Sequence, residues 1–380
     1  MSAPLVIVGT GLAGYNLAKE VRKLDADTPI IMVTADDGRN YSKPMLSTGF
    51  GKGKDADGLA MADAGKMAEQ LKLEVRTQQT VTALSTQTKT LSLGADQIQY
   101  GKLVLALGAE PLRLPLPGFE HLYHINDLMD YDRFHQATQG KQHVLVMGAG
   151  LVGCEYAHDL AVAGFKVTLV APDATPLSRL MPAVCGAALE QALVTLGVDV
   201  RMNTGVASVE KTAQGIQATL DNGETLSADL GLSAVGLTPR TALAQQAGLN
   251  VGRGIQVDRL LQTSAEDVYA LGDCMEVEGL NLLYVLPLMT SARTLAKTLT
   301  GSPSKLVYPA MPVQVKTPTL PITVSPVAQD AEGEWQISGE APNLKAIFVG
   351  KSGNLLGYAL TGDCVAEKMA LNKELPALLA

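Results

Sequence analysis

One pattern occurs twice in the chain, and it constrains the fold more than any other feature. Leu5-Val-Ile-Val-Gly-Thr-Gly-Leu-Ala-Gly14 aligns position by position with Val144-Leu-Val-Met-Gly-Ala-Gly-Leu-Val-Gly153. In each copy a continuous apolar run, of the kind a strand buried on both faces needs, leads into Gly-x-Gly-x-x-Gly. Apolar residues at helical spacing follow, Leu17, Val21 and Leu24 in the first copy and Tyr156, Leu160 and Ala163 in the second. A second apolar strand closes each unit, Ile30 to Val33 and Val167 to Val170. The reading is strand, glycine turn, helix, strand, twice over, which predicts an α/β fold with two equivalent parallel-stranded units.

The first glycine of such a turn allows the tight bend, the second lets the backbone approach a pyrophosphate, and the third lets helix pack on strand. The helix N-terminus adds free N–H groups and a positive dipole. Gly9, Gly11 and Gly14, and in the second unit Gly148, Gly150 and Gly153, thus predict two Rossmann-like dinucleotide sites. The acidic residue that follows about 20 positions on, binding the adenosine ribose, is absent at both expected places. Thr34 ends the second strand of the first unit, with Asp36 and Asp37 beyond it; Ala171 ends that of the second, with Asp173 nearby. Thr34 can hydrogen-bond a ribose, and Asp173 can substitute for the lost carboxylate. No arginine stands at Ala171 to pair a 2′-phosphate, although Arg179 is close in sequence, so the unphosphorylated nucleotide is the expectation there.

Between the units, Lys102-Leu-Val-Leu-Ala-Leu-Gly-Ala-Glu-Pro111 and Leu232-Ser-Ala-Val-Gly-Leu-Thr-Pro239 share an apolar strand running into a turn. Leu112 to Gly118, with Pro115 and Pro117, reads as a crossover linker, and Thr238-Pro239 as the return. The second unit is therefore expected as an insertion in the first, with 1–110 and 238–308 forming one domain and 111–237 the other. From Pro309 a proline-spaced run gives way to Trp335-Gln-Ile, Ala346-Ile-Phe-Val and a helix-like stretch from Asp363 to Leu379. This predicts a small α+β domain over 309–380.

Composition excludes other classes. With 30 Lys plus Arg against 38 Asp plus Glu, a net charge of −8 and only 5 Phe, 1 Trp and 10 Tyr, neither a nucleic-acid groove nor an anionic membrane surface is a fitting partner. With the strand at Leu5 following Met1 so closely, no signal peptide is expected. The most apolar longer stretch, Val144 to Phe165, carries Glu155, His158 and Asp159, so no membrane span is expected. Cys154, Cys185, Cys274 and Cys364 form neither a C-x-x-C pair nor a secreted disulfide framework. A cytoplasmic protein without a metal site is the expectation.

Taken in order, these motifs resemble the two-dinucleotide FAD-dependent NAD(P)H oxidoreductases, and among them the rubredoxin reductases. Asn40-Tyr-Ser-Lys-Pro-Met-Leu-Ser47 is similar to the family segment that passes under the isoalloxazine, with Lys43 and Pro44 at its centre. Val268-Tyr-Ala-Leu-Gly-Asp273 resembles the second FAD signature, whose aspartate binds the ribityl and phosphate portion. Pro312-Val-Gln-Val-Lys-Thr-Pro318 resembles the start of the C-terminal domain and would bring Lys316 near the flavin. The resemblance implies FAD on Gly9, Thr10, Gly11, Leu12, Gly14, Thr34 and Asp273, flanked by Lys43, Pro44 and Lys316. Val81 resembles the position whose backbone contacts the adenine, a buried strand valine being the alternative. At Val285, beside Leu286-Pro-Leu-Met, a helix N-terminus would face the flavin's pyrimidine edge, a core helix being the alternative. NADH falls to Gly148, Gly150, Gly153 and Glu155, the last being equally consistent with a dipole-favoured glutamate. Lys43, Glu155 and Lys316 are the residues for which it implies catalytic roles.

The implied activity is hydride transfer from NADH to FAD and single-electron return to rubredoxin. Alternatives are a flavorubredoxin reductase serving nitric oxide detoxification, a ferredoxin reductase, or a slowly turning redox sensor. Disulfide-using relatives carry a C-x4-C pair after the first unit, whereas Arg39 to Gly51 has no cysteine. No dithiol relay is expected, and Cys154 and Cys274 read as small apolar packers. Rubredoxins are typically acidic, as is this chain, so docking requires a local basic rim, for which Arg39, Lys43 and Lys316 are the sequence candidates.

Overall fold

The structure is a computed structural model describing residues 3–328 and 330–380. Leu5–Val8 lies at the centre of a five-stranded parallel sheet, with Ile30–Val33 and Glu74–Arg76 on one side and Lys102–Leu105 and Val268–Ala270 on the other. The inner strands are almost wholly buried, which is why they read as unbroken apolar runs. The helix Leu12–Leu24 follows the first glycine turn and packs beside the helix Val285–Leu299. The first sheet is thus built from chain segments on either side of the second unit.

The second unit repeats the plan. His143–Met147 is flanked by Lys166–Val170 and then Asp199–Arg201 on one side and by Leu230–Ser233 on the other, all parallel. Both units also insert a three-stranded antiparallel meander, Ala83–Ser85, Thr90–Leu93 and Asp96–Gln99 ahead of Lys102–Leu105 in one and Val206–Lys211, Ile216–Leu220 and Thr225–Ala228 ahead of Leu230–Ser233 in the other. The two crossings between units run side by side as an antiparallel pair, Ala109–Pro111 against Leu237–Pro239.

The C-terminal portion forms a five-stranded antiparallel sheet in the order Val313–Val315, Ile322–Ser325, Leu355–Thr361, Asn343–Gly350, Gly333–Glu340. Its inner face does not stand alone: Val315, Leu320, Ile322, Val324 and Leu344 share one core with Val144, Val146 and Leu160 of the second unit and with Leu46 and Phe50. The helix expected from Asp363 to Leu379 is shorter. A 3-10 turn over Gly362–Glu367 leads into the helix Lys368–Glu374, which ends before Pro376, a residue with no N–H to continue it. Beyond it Leu379 bridges to Tyr308 as extended chain.

Candidate functional site

Each glycine motif builds an open cradle. A Cβ at Gly14 would lie 2.0 Å from Gly9 O, and one at Gly153 would lie 1.8 Å from Gly148 O, so the third glycine of each copy is required by backbone contact. Gly9 and Gly148 adopt φ of 115° and 105° and face the carbonyls of Ala106 and Ala234. A Cβ at either middle glycine, Gly11 or Gly150, would meet no atom within 4 Å. Each is also the N-cap of its helix, with no side-chain cap bond. The backbone amides of both helix starts are therefore uncapped beside open space, an arrangement that fits a pyrophosphate. Leu12 opens the first of these helices.

At the rim of the first cradle, Thr10 and Thr34 are buried and both donate to Asp36 Oδ1, at 3.2 and 2.6 Å. Asp273 sits on a turn just after the strand Val268–Ala270; Gly272, at φ 77°, lets this turn pass against Ala13 of the glycine helix. Asn281 Nδ2 pins that turn by donating to the carbonyls of Asp273 and Met275, at 3.0 and 2.7 Å. Lys43 Nζ approaches Asp273 Oδ2 at 3.5 Å and donates to Asn126 Oδ1 at 2.8 Å. Asn126 is itself held by its Nδ2 on Ala109 O and its N–H on Asp130 Oδ2.

The short turn Lys43–Thr48, with Pro44 in its first positions, reaches the second cradle through Ser47. Glu155, only 1% exposed on the second glycine helix, accepts from Ser47 Oγ at 2.6 Å and from the Lys316 N–H at 3.0 Å. Lys316 Nζ pairs with the same carboxylate at 2.5 Å. One buried carboxylate thereby ties together the turn after the first unit, the second unit and the C-terminal sheet. One helical turn on, Asp159 accepts the Phe50 and Gly51 N–H groups at 2.9 and 3.0 Å; burial raises its carboxyl pKa, partly offset by those bonds. His158, 5% exposed, accepts from the Thr319 N–H through Nε2 at 3.4 Å, and burial lowers its pKa. A cavity of about 550 Å³ opens here, lined among others by Met45, Thr48, Lys52, His158, Lys316 and Lys368.

Several expected residues take different places. Val81 lies outside any strand, partly buried against the first core. Val285 and Leu286 are exposed at the start of the helix Val285–Leu299, whose N-cap Tyr284 makes no side-chain cap bond. Arg39 pairs with Asp37 at 2.7 Å and Asp57 at 2.9 Å, so its charge at the rim is partly offset. Asn126, Ser47, Asp159 and Asn281 are polar groups that the sequence reading missed, because their partners are remote in sequence or are backbone atoms.

The four thiols are free; three are buried and Cys364 is half-buried. Burial raises the Cys154 pKa well above its ordinary value and pushes the thiols of Cys274 and Cys185 up to about 11. None is a ready nucleophile at neutral pH. Among the described residues no cluster could hold a metal ion, and no helix is long and apolar enough to cross a membrane.

Residues 3–295 match the model for pyridine nucleotide-disulphide oxidoreductases. The chain belongs to that family. Residues 305–375 match the model for a rubredoxin binding C-terminal domain. A rubredoxin-NAD(+) reductase of Alcanivorax borkumensis is 52% identical over 99% of both chains. A nitric oxide reductase FlRd-NAD(+) reductase of Escherichia coli is 39% identical over 99% of this chain and 100% of its own length. A ferredoxin reductase from Rhodopseudomonas palustris superposes with a TM-score of 0.88 at 23% identity, covering 98% of this chain and 95% of its own, a likeness of fold. The family's name refers to a disulphide, but no two thiols of this pyridine nucleotide-disulphide oxidoreductase stand close in sequence.

Proposed function

We propose that the chain is an NADH-dependent, FAD-containing rubredoxin reductase, with FAD on the first cradle and NADH on the second. The observation that carries this is the Lys43–Thr48 turn, which touches the rim of one cradle through Lys43 and Asp273 and the helix of the other through Ser47 and Glu155. The match of residues 305–375 to a rubredoxin-binding domain and the 52% identity to a rubredoxin-NAD(+) reductase support the partner. When bound, FAD supplies hydride acceptance from the nicotinamide and one-electron return to a metal carrier. The proposed domain division assigns 1–110 with 238–308 to FAD, 111–237 to NADH and 309–380 to the partner, and the grouping of the strands into separate sheets supports it. The free, buried thiols suit a cytoplasmic setting.

The residues have separable tasks. Gly11, beside Thr10 and Leu12, leaves room for the FAD pyrophosphate, and Gly150 does so for NADH. Thr34 and Val81 would take the adenosine end of the FAD, and the uncapped helix that Val285 opens would take the other end. Lys43, fixed between Asn126 and Asp273, places a positive charge that favours an electron-rich flavin beside Pro44. Glu155 holds Lys316 and Ser47 and so fixes the side of the site nearest the nicotinamide.

With Lys316 engaged by Glu155, the cavity-lining cations without an ion pair among the described residues are Lys52 and Lys368. Reversing both to glutamate should slow rubredoxin reduction about tenfold at low salt while leaving NADH bleaching of the flavin unchanged. Stopped-flow rates of rubredoxin reduction that ignore both the reversal and added salt would remove this docking face. The 39% identity to the Escherichia coli protein keeps a flavorubredoxin as the second acceptor to assay, with a ferredoxin third.

A further inference from the structure

The two dinucleotide units repeat more than their glycines. The Gly9 N–H donates to Val33 O and the Gly148 N–H to Val170 O, both at 2.8 Å. Past the strand ends, Thr34 N–H meets Arg76 O at 2.9 Å and Ala171 N–H meets Arg201 O at 3.0 Å. Gln78 N–H donates to Asp36 O, and Asn203 N–H to Asp173 O, each at 2.9 Å. Gln78 and Asn203 share the left-handed conformation as well, at φ 56° and 57°. Finally Gln79 N–H donates to Thr34 O at 2.9 Å and Thr204 N–H to Ala171 O at 3.2 Å. This register makes Asp173 the counterpart of Asp36, and Thr204 the counterpart of Gln79.

The side chains follow the same rule. Asp36 Oδ1 is taken up by Thr10, Thr34 and the Gly38 N–H, and Asp173 Oδ1 by Ser178 Oγ at 2.6 Å. The Oδ2 atom of neither has a hydrogen-bond partner among the described residues. Gln79 Oε1 and Thr204 Oγ1 are both buried without a partner among the described residues. Buried polar atoms seldom go unpaired, and here two equivalent ones do, each bonded through its backbone to the residue that ends the second strand of its unit.

We propose that Asp173, with Thr204 beside it, reads the adenosine ribose of the second dinucleotide and makes that site selective for NADH over NADPH. This rests on the reading of the chain as a nicotinamide-dependent flavoprotein. Ala171, at the usual place of the ribose-binding acid, is buried and has no polar side chain. The loop that carries Asp173 is fixed against the cradle, since the Leu177 N–H donates to Ala149 O, between the motif glycines, at 2.9 Å. A free carboxylate oxygen there accepts a ribose hydroxyl and repels a 2′-phosphate. The neighbouring cation Arg201 is held by Asp199 and Glu224, whose charges offset its attraction for a 2′-phosphate.

The test uses the FAD-loaded protein with two readouts: calorimetric binding of ADP-ribose and of its 2′-phosphate, and anaerobic flavin bleaching by NADH and NADPH. Asp173→Ala should weaken ADP-ribose about tenfold while leaving the phosphorylated ligand unchanged or tighter, so that preference falls about tenfold in both readouts. Asp173→Asn, of the same shape, should retain part of the preference, and it carries the test if the alanine variant loses its flavin. Thr204→Val should weaken both ligands severalfold. A preference within twofold of native in Asp173→Ala and Asp173→Asn, or an equal loss for both ligands, overturns the proposal. If native protein is bleached by neither nucleotide the functional reading fails, while the calorimetric preference still judges Asp173.

Discussion

Glu155 shows how much a single buried residue organises. Its carboxylate is shielded from water and offset by Lys316 Nζ, the Lys316 N–H and Ser47 Oγ. Removing one member of a buried ion pair leaves the other uncompensated, so Lys316→Ala should cost about 3 kcal/mol in chemical denaturation. The double variant Lys316→Ala, Glu155→Gln should recover a large part of that loss, because no charge is then left buried. Equal stability of the single and double variants would show that the pair is not the source of the effect. His158 gives the pH dependence. Its pKa is held below the ordinary 6.5 by burial, so as the pH falls the unfolded chain takes up its proton first. The stability tied to neutral His158 is therefore complete above about pH 6.5 and is lost as the pH drops through and below that value. Protonation also ends the acceptance from Thr319, worth about 1 kcal/mol. Melting curves from pH 7.5 to 5 should fall less steeply in His158→Gln than in the native protein.

Among the elements, the two glycine helices separate folding from binding. Gly14→Ala and Gly153→Ala drive a Cβ into the carbonyl of the opposing glycine and should unfold or strongly destabilise their units. Gly11→Ala and Gly150→Ala meet only open space, so both variants should fold; the first should purify without FAD, and the second should keep FAD and lose NADH affinity. Absorbance of the bound flavin and circular dichroism of each variant check this. These helices were also the most legible part of the chain, because a buried parallel strand and a glycine turn write themselves into contiguous residues. The two crossings were legible too, but their pairing, the Asp173 register and the Asn126 clamp on Lys43 were not, since each joins residues far apart in sequence. The C-terminal sheet was half legible: Trp335 and Phe348, stacked edge to face, announced their strands, whereas Leu355–Thr361 passed unnoticed and Pro376 cut the expected helix short.

At the scale of the whole molecule, the shared core of the second unit, the Lys43–Thr48 turn and the C-terminal sheet makes one body of the cofactor-facing side. An acidic chain with a net charge of −8 can then present a local basic rim without being globally attractive to an acidic carrier. Its thiols are buried or half-buried, those at 154, 185 and 274 have pKa values raised far above neutrality, and no pair of them stands between the two cradles. Electrons should accordingly pass from nicotinamide to flavin to partner with no thiol store on the way. The most direct measurement is an anaerobic titration of the FAD-loaded protein with NADH. Full bleaching at about one NADH per FAD, with every electron recovered on adding oxidised rubredoxin, is the expected result. Uptake of about two NADH per FAD, accompanied by newly titratable thiols, would contradict it.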